Sequence, residues 1–448
     1  MLKAILYLSL TAFGILGTFV NPIIGAVACL EAYLMNPTVI PMPDGGFRYQ
    51  FWTTIAFVLS CFIPRPRKLD RVGGETYALV AMWVFVAIAA ASSLWAAVSP
   101  EIALDTSYEI FKTLLFATFL LKAVQTERHV RIVVLACMFG ILHASVLHTL
   151  GTKYGYIPPS FGREIGVLPD LQTGVLIFFL PLMLLIAANG SKLEKIFCWL
   201  SLPVVLDSIV TSYMRAALVA MSAELALIFL LLKPKLTRRL IPAVAAGLIL
   251  FFVRLTPESY WNWMSTIEHP KEEASANSRF VIDAISWRIF SDHPMGVGYR
   301  NYPEISPQYF PPDMLDPSNG KRSAHNSFFT VLVETGVLGF AAFMTAVGGT
   351  VILLRRIRKS CDPTNPGRVA IYAMGLEIGM YGWFVLGLFH TEHDLDPAYW
   401  TVALAVILTR LHYQNRKAEE SGGEDERDEM EPAFEHSEWA ETPSAGTA

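Results

Sequence analysis

Two arginines and one histidine lie where this chain, otherwise rich in hydrocarbon side chains, turns polar. Arg215 stands in Thr211-Ser-Tyr-Met-Arg215-Ala-Ala-Leu218, just before an apolar run that ends at Lys233. Wound as a helix, that run covers about 27 Å, nearly a full hydrocarbon thickness, so Arg215 and Lys233 belong to opposite boundaries of a membrane. A guanidinium at such a boundary can grip a phosphate through two parallel N–H bonds, or act as an anchor that snorkels to the interface. Arg279 follows in Ser278-Arg279, ahead of Trp287 and of the turn-rich His293-Pro-Met-Gly-Val-Gly298. His325 begins the next stretch, His325-Asn-Ser-Phe-Phe-Thr-Val-Leu-Val-Glu-Thr-Gly-Val-Leu-Gly339. A neutral imidazole, with an ordinary pKa of about 6.5, suits general-base work on a hydroxyl; the alternative for His325 is a structural bond to the loop before it.

The elements that must position these groups are membrane helices. The 448 residues are 53% hydrophobic and 17% charged with a mean hydropathy of +0.42, and the apolar residues come in long blocks. Blocks of roughly 20 apolar residues match a ~30 Å hydrocarbon core, and in lipid the backbone must bond to itself, which selects helices. The alternating ten-residue pattern of a membrane β-barrel is absent. The fold class expected is an all-α integral membrane protein, a polytopic bundle of about 12 transmembrane helices with one large periplasmic loop.

Basic clusters recur at 65–71, 122–131, 192–195, 233–239, 355–359 and 410–417, with two apolar spans and a Lys/Arg-poor loop between successive clusters. The positive-inside rule makes the clusters cytoplasmic and sends the loops near 97–106, 150–172, 211–214, 255–324 and 390–398 to the other side. The division expected is an N-terminal bundle 1–254, a periplasmic loop 255–324, C-terminal helices 325–412 and a tail 413–448. Asn21-Pro22 interrupts the first apolar run, which is read as one broken crossing, with two crossings as the alternative. Lys3 precedes that run without a convincing cleavage site, so the N-terminus is read as a retained membrane segment. The tail holds eleven acids against three bases, so the net charge of -4 conceals a balance of +4 over residues 1–412. So acidic a segment cannot bury a core and reads as disordered. None of the five cysteines lies between 257 and 324, so no disulfide framework holds the loop.

At helical spacing Leu332, Gly336 and Gly339 return to within about 40° of His325, a small-residue face that another helix could approach closely, while Glu334 falls nearly opposite. Ser323 is the expected helix cap.

His325-Asn326, with Gly336 and Gly339 at their spacing, resembles the signature of the bacterial O-antigen ligases. Arg279 standing before His293-Pro-Met-Gly-Val-Gly298, with Trp287 between, resembles the start of the shared domain of the O-antigen ligase and polymerase superfamily, and Arg215 in its Ser-x-x-Arg-Ala setting is similar to that family's membrane-boundary arginine. The resemblance spans about residues 170–410. More loosely, Glu31-Ala-Tyr-Leu-Met-Asn-Pro37 resembles the exosortase-associated O-glycosylation ligase subgroup. The resemblance implies a metal- and cofactor-independent glycosyltransferase in a bacterial inner membrane, with its active site facing the periplasm. The donor implied is an undecaprenyl diphosphate-linked glycan; the acceptor is a glycan, lipid or protein. It implies His325 as base, Arg215 and Arg279 on the diphosphate, and Arg163, Arg322 and Asn326 as substrate contacts. Where the family often carries an Asn-type motif before the span at 173–189, this chain has Val167-Leu-Pro-Asp-Leu-Gln172. Arg163 in Phe161-Gly-Arg163-Glu164 is then the nearest further glycan or phosphate contact, or a solvated loop charge.

Two constellations compete. His390-Thr-Glu-His393-Asp-Leu-Asp396 gathers possible metal ligands, but its histidines lack the i, i+4 spacing of a zinc helix. Glu224 and Asp207 are intramembrane acids that suit a proton relay in a transporter, or a structural partnership with Arg215 or backbone. Transport needs a midplane site, whereas the polar residues here collect at one face. No phosphate-binding glycine loop, serine nucleophile elbow or nucleic-acid patch occurs, so membrane lipid is the large partner and nucleic acid is not. A repeat-unit polymerase on the same donor is the nearest alternative enzyme.

Overall fold

The computed structural model describes residues 2–34, 49–65, 69–154, 168–256, 258, 261, 274–362 and 366–430, and among these no strand occurs. The long helices are α1 (Leu2–Val20), α2 (Pro22–Leu34), α3 (Tyr49–Ser60), α4 (Tyr77–Ala91), α5 (Pro100–Ala123), α6 (Glu127–Tyr154), α7 (Leu168–Asn189), α8 (Lys192–Thr211), α9 (Arg215–Leu231), α10 (Pro234–Leu250), α11 (Ala274–Asp292), α12 (Ser327–Ser360), α13 (Arg368–Gly387) and α14 (Asp396–Met430). Five of the described helices are long and apolar enough to cross a membrane: α4 continued to Trp95, α6, α10 continued to Val253, α12 and α13. Shorter apolar helices lie in α1, α2, α3 and α7. This is a multi-pass helical architecture, although length and composition mark fewer crossings than the twelve read from the sequence.

Asn21-Pro22 does more than kink a first crossing. Gly14 lies against Ala28, Gly17 against Ile24 and Gly25 against Thr18, pairings that require α1 and α2 to run antiparallel. The first element is a hairpin, not the single broken crossing favoured above. A second difference is at the other terminus, where α14 carries the helix on to Met430, into the stretch read as a disordered tail.

Glycines set the closest helix contacts. Gly339 of α12 faces Ile88 of α4, and the Tyr77 hydroxyl donates to the Gly349 carbonyl at 3.0 Å. Gly375 and Gly379 of α13 lie against the Leu182 and Phe178 backbone of α7. A side chain at any of these would hold the helices apart.

Residues of the basic clusters meet at one end of the bundle. Arg65 donates to the Phe19 carbonyl, Arg131 pairs with Glu194 at 2.7 Å, Arg239 donates to Asn189, and Arg410 pairs with Glu75 at 2.8 Å. Deeper in, Arg358 of α12 pairs with Glu377 of α13 at 2.6 Å and donates to the Leu231 carbonyl that ends α9. Glu377 is 0% exposed, so Arg358→Ala would strand a buried carboxylate at a cost of about 3–5 kcal/mol. The expected result is a lower melting midpoint in detergent, partly recovered in the Arg358→Ala/Glu377→Gln double variant.

At the opposite end α11 and the segment after it have a core of their own: Ile282, Ile289, Val297, Tyr302, Ile305 and Phe310 pack with Ala324 and Val333. α12 rises into this outer layer and is broken at Gly336, whose φ of +68° and ψ of -172° are not helical. The backbone of Pro294-Met295 fills the break, and Val297 and Gly298 donate their N–H groups to the carbonyls of Val333 and Glu334 at 2.9 and 3.0 Å. Gly296, at φ +90°, fits because a Cβ there would lie 2.5 Å from the Glu334 carbonyl oxygen. Gly336 therefore admits a loop and not another helix.

Candidate active site

His325 is fixed by its two neighbours. Ala324 is buried in the outer-layer core, and Asn326 caps α12, its side-chain oxygen accepting from the N–H groups of Phe328 and Phe329 at 3.0 and 3.2 Å. The cap is thus Asn326 and not Ser323. Held between these anchors, His325 takes a left-handed backbone with φ +48°, uncommon for a residue with a side chain. Its half-buried ring faces that of His390 at a centroid separation of 6.0 Å.

His390 lies on the segment 388–395 between α13 and α14, which straps across the start of α12. The Ser327 hydroxyl donates to the His390 carbonyl at 2.9 Å and accepts the Glu392 N–H at 2.7 Å. Trp383 donates its indole N–H to the Glu392 carbonyl at 2.8 Å. The Glu392 carboxylate, 1% exposed, sits against Gly174 of α7 and reaches His390 Nδ1 at 2.9 Å.

Arg279 joins this group from α11. Its guanidinium lies over the Phe389 ring, 5.7 Å from the centroid, in the range of a cation–π contact. Asp283, one helical turn on, is hydrogen-bonded to the Asn326 side chain and attracted by Arg279. Burial outweighs both and raises its carboxyl above the usual range. Asn326, placed among the substrate contacts from the sequence, is thereby engaged as a cap and as a tie to α11.

Arg215 is the first residue of α9. α9 and α13 run antiparallel: Leu231 at the end of α9 shares Arg358 with Glu377, and Glu224 lies against Gly382. Continued in that register, Arg215 comes level with the end of α13, where the strap begins. Glu224 faces α13, while Asp207 accepts from Thr149 at 3.0 Å. Arg322 has its backbone N–H on the Ser306 hydroxyl at 2.8 Å, within the outer layer. Arg163 lies outside the described residues.

The strap divides the histidines of the 390–396 motif. His390 faces His325, whereas His393 is wholly buried on the other side, edge-on to Tyr299 at 5.7 Å and 3.9 Å from Glu334. Burial lowers the His393 pKa to about 4, which keeps it neutral. Glu334 turns away from His325, as its place in the helical period requires, and accepts the Tyr302 N–H. Nearby Arg300, also at positive φ, pairs with Asp394. This pair lines a cavity of about 1070 Å³ that runs between α3 and α5 beside Tyr33, Lys112, Thr113 and Asp396. The sequence reading passed over Arg300 and weighed the strap only as a set of possible metal ligands. The signal for Arg300 was a charge two residues after a motif glycine, and for Glu392 a carboxylate two residues from a histidine.

Residues 196–344 match the family model described as O-antigen ligase. The match begins in α8 and ends within α12, so it covers a third of the chain and takes in Arg215, Arg279 and His325. It includes neither the strap nor residues 31–37. No curated protein matches the chain.

Proposed function

We propose that this protein, a membrane protein with an O-antigen ligase domain, transfers a glycan from undecaprenyl diphosphate to an acceptor hydroxyl at the outer, periplasmic face of a bacterial inner membrane. The observation that carries the proposal is the convergence of Arg279, from the outer layer, and His325, from the start of α12, on neighbouring strap residues, Phe389 and His390, at one end of a bundle whose basic clusters lie at the other. A lipid-borne diphosphate would sit at such a boundary with its isoprenoid in the bilayer.

In this reading His325 takes the proton of the acceptor hydroxyl as its oxygen attacks the sugar C1. The bond from C1 to the diphosphate oxygen breaks on the opposite face, giving inversion. Arg215 and Arg279 hold the diphosphate and stabilise the charge that grows on it, an effect favoured where donors are already in place.

The test is transfer by the purified protein from a lipid-linked glycan to added acceptor. Arg215→Lys and Arg279→Lys keep the charge but lose the planar fork, so each should lose most of the activity. Two fully active lysine variants would remove the phosphate clamp from the mechanism. Chromatography of the products separates ligation onto a distinct acceptor from lengthening of the donor's own glycan.

A further inference from the structure

We infer that α11 lies along the membrane surface and seats the face that carries Phe280, Ala284 and Trp287 in the lipid beneath it, at the boundary of headgroups and hydrocarbon. Both ends of the helix are pinned at the depth where the spans stop. From Arg355, which opens the basic cluster on α12, back to Gly336 the helix rises about 28 Å, nearly one hydrocarbon thickness. The break at Gly336 is therefore at the far boundary, and it is filled by the backbone of Pro294-Met295, just past the end of α11 at Asp292. α13 rises about 30 Å from Arg368 to Gly387, so Phe389, just beyond its end, stands at the same boundary. Arg279 of α11 lies over that ring. The helix from Arg279 to Asp292, about 20 Å long and held at one depth at both ends, runs along the surface and not away from it.

The two faces of α11 decide which side meets lipid. Ile282 and Ile289 point into the outer-layer core beside Ala324 and Val333, which stand on the outward side of the Gly336 break. That core covers α11 from outside, so the opposite face is turned to the bilayer. It is apolar as well: Phe280 is 73% exposed and Trp287, two turns on, 55%, with exposed Ala284 between them. A helix with water on that side would carry polar groups there. Exposed Phe and Trp, flanked by exposed Arg288, are instead the composition of a helix that lies in a membrane interface. The apolar surface continues past the helix through Met295 and, on α12, Val337 and Leu338, all exposed around the break. Trp95 holds this rim to α4, its indole N–H donating to the Met295 carbonyl at 3.0 Å. A second copy of the chain would have to reach this face through the headgroups, which makes lipid its occupant. On the function proposed above, α11 then keeps Arg279 at the depth of a lipid-borne diphosphate, but the inference does not depend on that function.

The experiment is spin labelling of the full-length protein in liposomes of phosphatidylethanolamine and phosphatidylglycerol. Cys361→Ser leaves Cys29, Cys61, Cys137 and Cys198, all buried, and a nitroxide is then attached at Ala284→Cys, in the middle of the face. Leu200→Cys, exposed on α8, is the reference for lipid, and Asp313→Cys, exposed in the outer layer, is the reference for water. Oxygen concentrates in hydrocarbon and nickel ethylenediaminediacetate in water, so the ratio of the label's accessibility to the two reagents reads its depth. At Ala284→Cys the ratio should be several-fold above that at Asp313→Cys and approach that at Leu200→Cys. Trp287→Cys should give the same ordering, so the result does not hang on one variant, and melting midpoints equal to that of Cys361→Ser show that the labelled proteins are folded. A ratio at both positions equal to that at Asp313→Cys overturns the inference, because the face then meets water. Labels shielded from both reagents overturn it too, because protein then covers the face, and a dimer in light scattering would identify a second copy as the cover.

Discussion

His325→Asn should slow glycan transfer by about 10² to 10⁴ while the protein remains folded and still holds its donor. Asparagine is the informative replacement because of the backbone. At φ +48° alanine sits poorly, so His325→Ala would mix lost chemistry with lost local structure. Asparagine tolerates the left-handed region and can bond to the loop, but it cannot take up a proton near neutral pH. His325→Gln offers a longer amide with the same disability and should be nearly as slow. Initial rates with a lipid-linked glycan, read beside melting curves and farnesyl diphosphate titrations, separate the effects. Should the amide variants retain full activity, His325 is a structural hydrogen-bonding residue and the departing diphosphate must remove the proton itself.

Gly336→Ala should be the most damaging small substitution in the outer half of the protein. A Cβ there would come within 2.6 Å of the Met295 carbonyl carbon, and φ +68° with ψ -172° belongs to a region essentially reserved for glycine. The strain costs about 1–3 kcal/mol, and displacing packed backbone about as much again. Loss of the break would dislodge the 293–298 turn, and with it the outer-layer core that holds Ala324 and hence His325. A steep fall in melting midpoint and in transfer activity is expected. Gly348→Ala is the control: it lies on the same helix, has nothing within 4 Å of the added carbon, and should behave as wild type. Equal behaviour of the two variants would mean that the turn does not depend on the break.

The apolar blocks disclosed the membrane helices, and the polar islands between them disclosed Arg279 and His325, because a charge among hydrocarbon is costly enough to stand out in one dimension. What could not be read there depends on pairs distant in sequence. Gly336 was read as a contact face for a helix because helical period was the guide, and the period fails at the residue where the helix stops. Asn326 rather than Ser323 caps α12, since the helix begins three residues later than a cap at Ser323 would have it. Glu392 gave no sign of the space that its carboxylate fills, because that space depends on a glycine 218 positions earlier in the chain, Gly174. The hairpin at Asn21 was an open alternative that only the facing of Gly14 and Ala28 decides.

The break in α12 bears on how the protein is made. From Gly336 to Ser360 the helix is still about 36 Å long, enough to span the bilayer unaided, so the nine residues before the break stand clear of the hydrocarbon. The Val333 and Glu334 carbonyls receive N–H groups from the 293–298 turn, which leaves the ribosome before α12 does. On the proposed topology the turn is therefore already translocated when its partner arrives, and the Val333 and Glu334 carbonyls meet their donors as the helix settles. Had the order of these two segments in the gene been reversed, the broken helix would have reached the membrane before the turn that completes it.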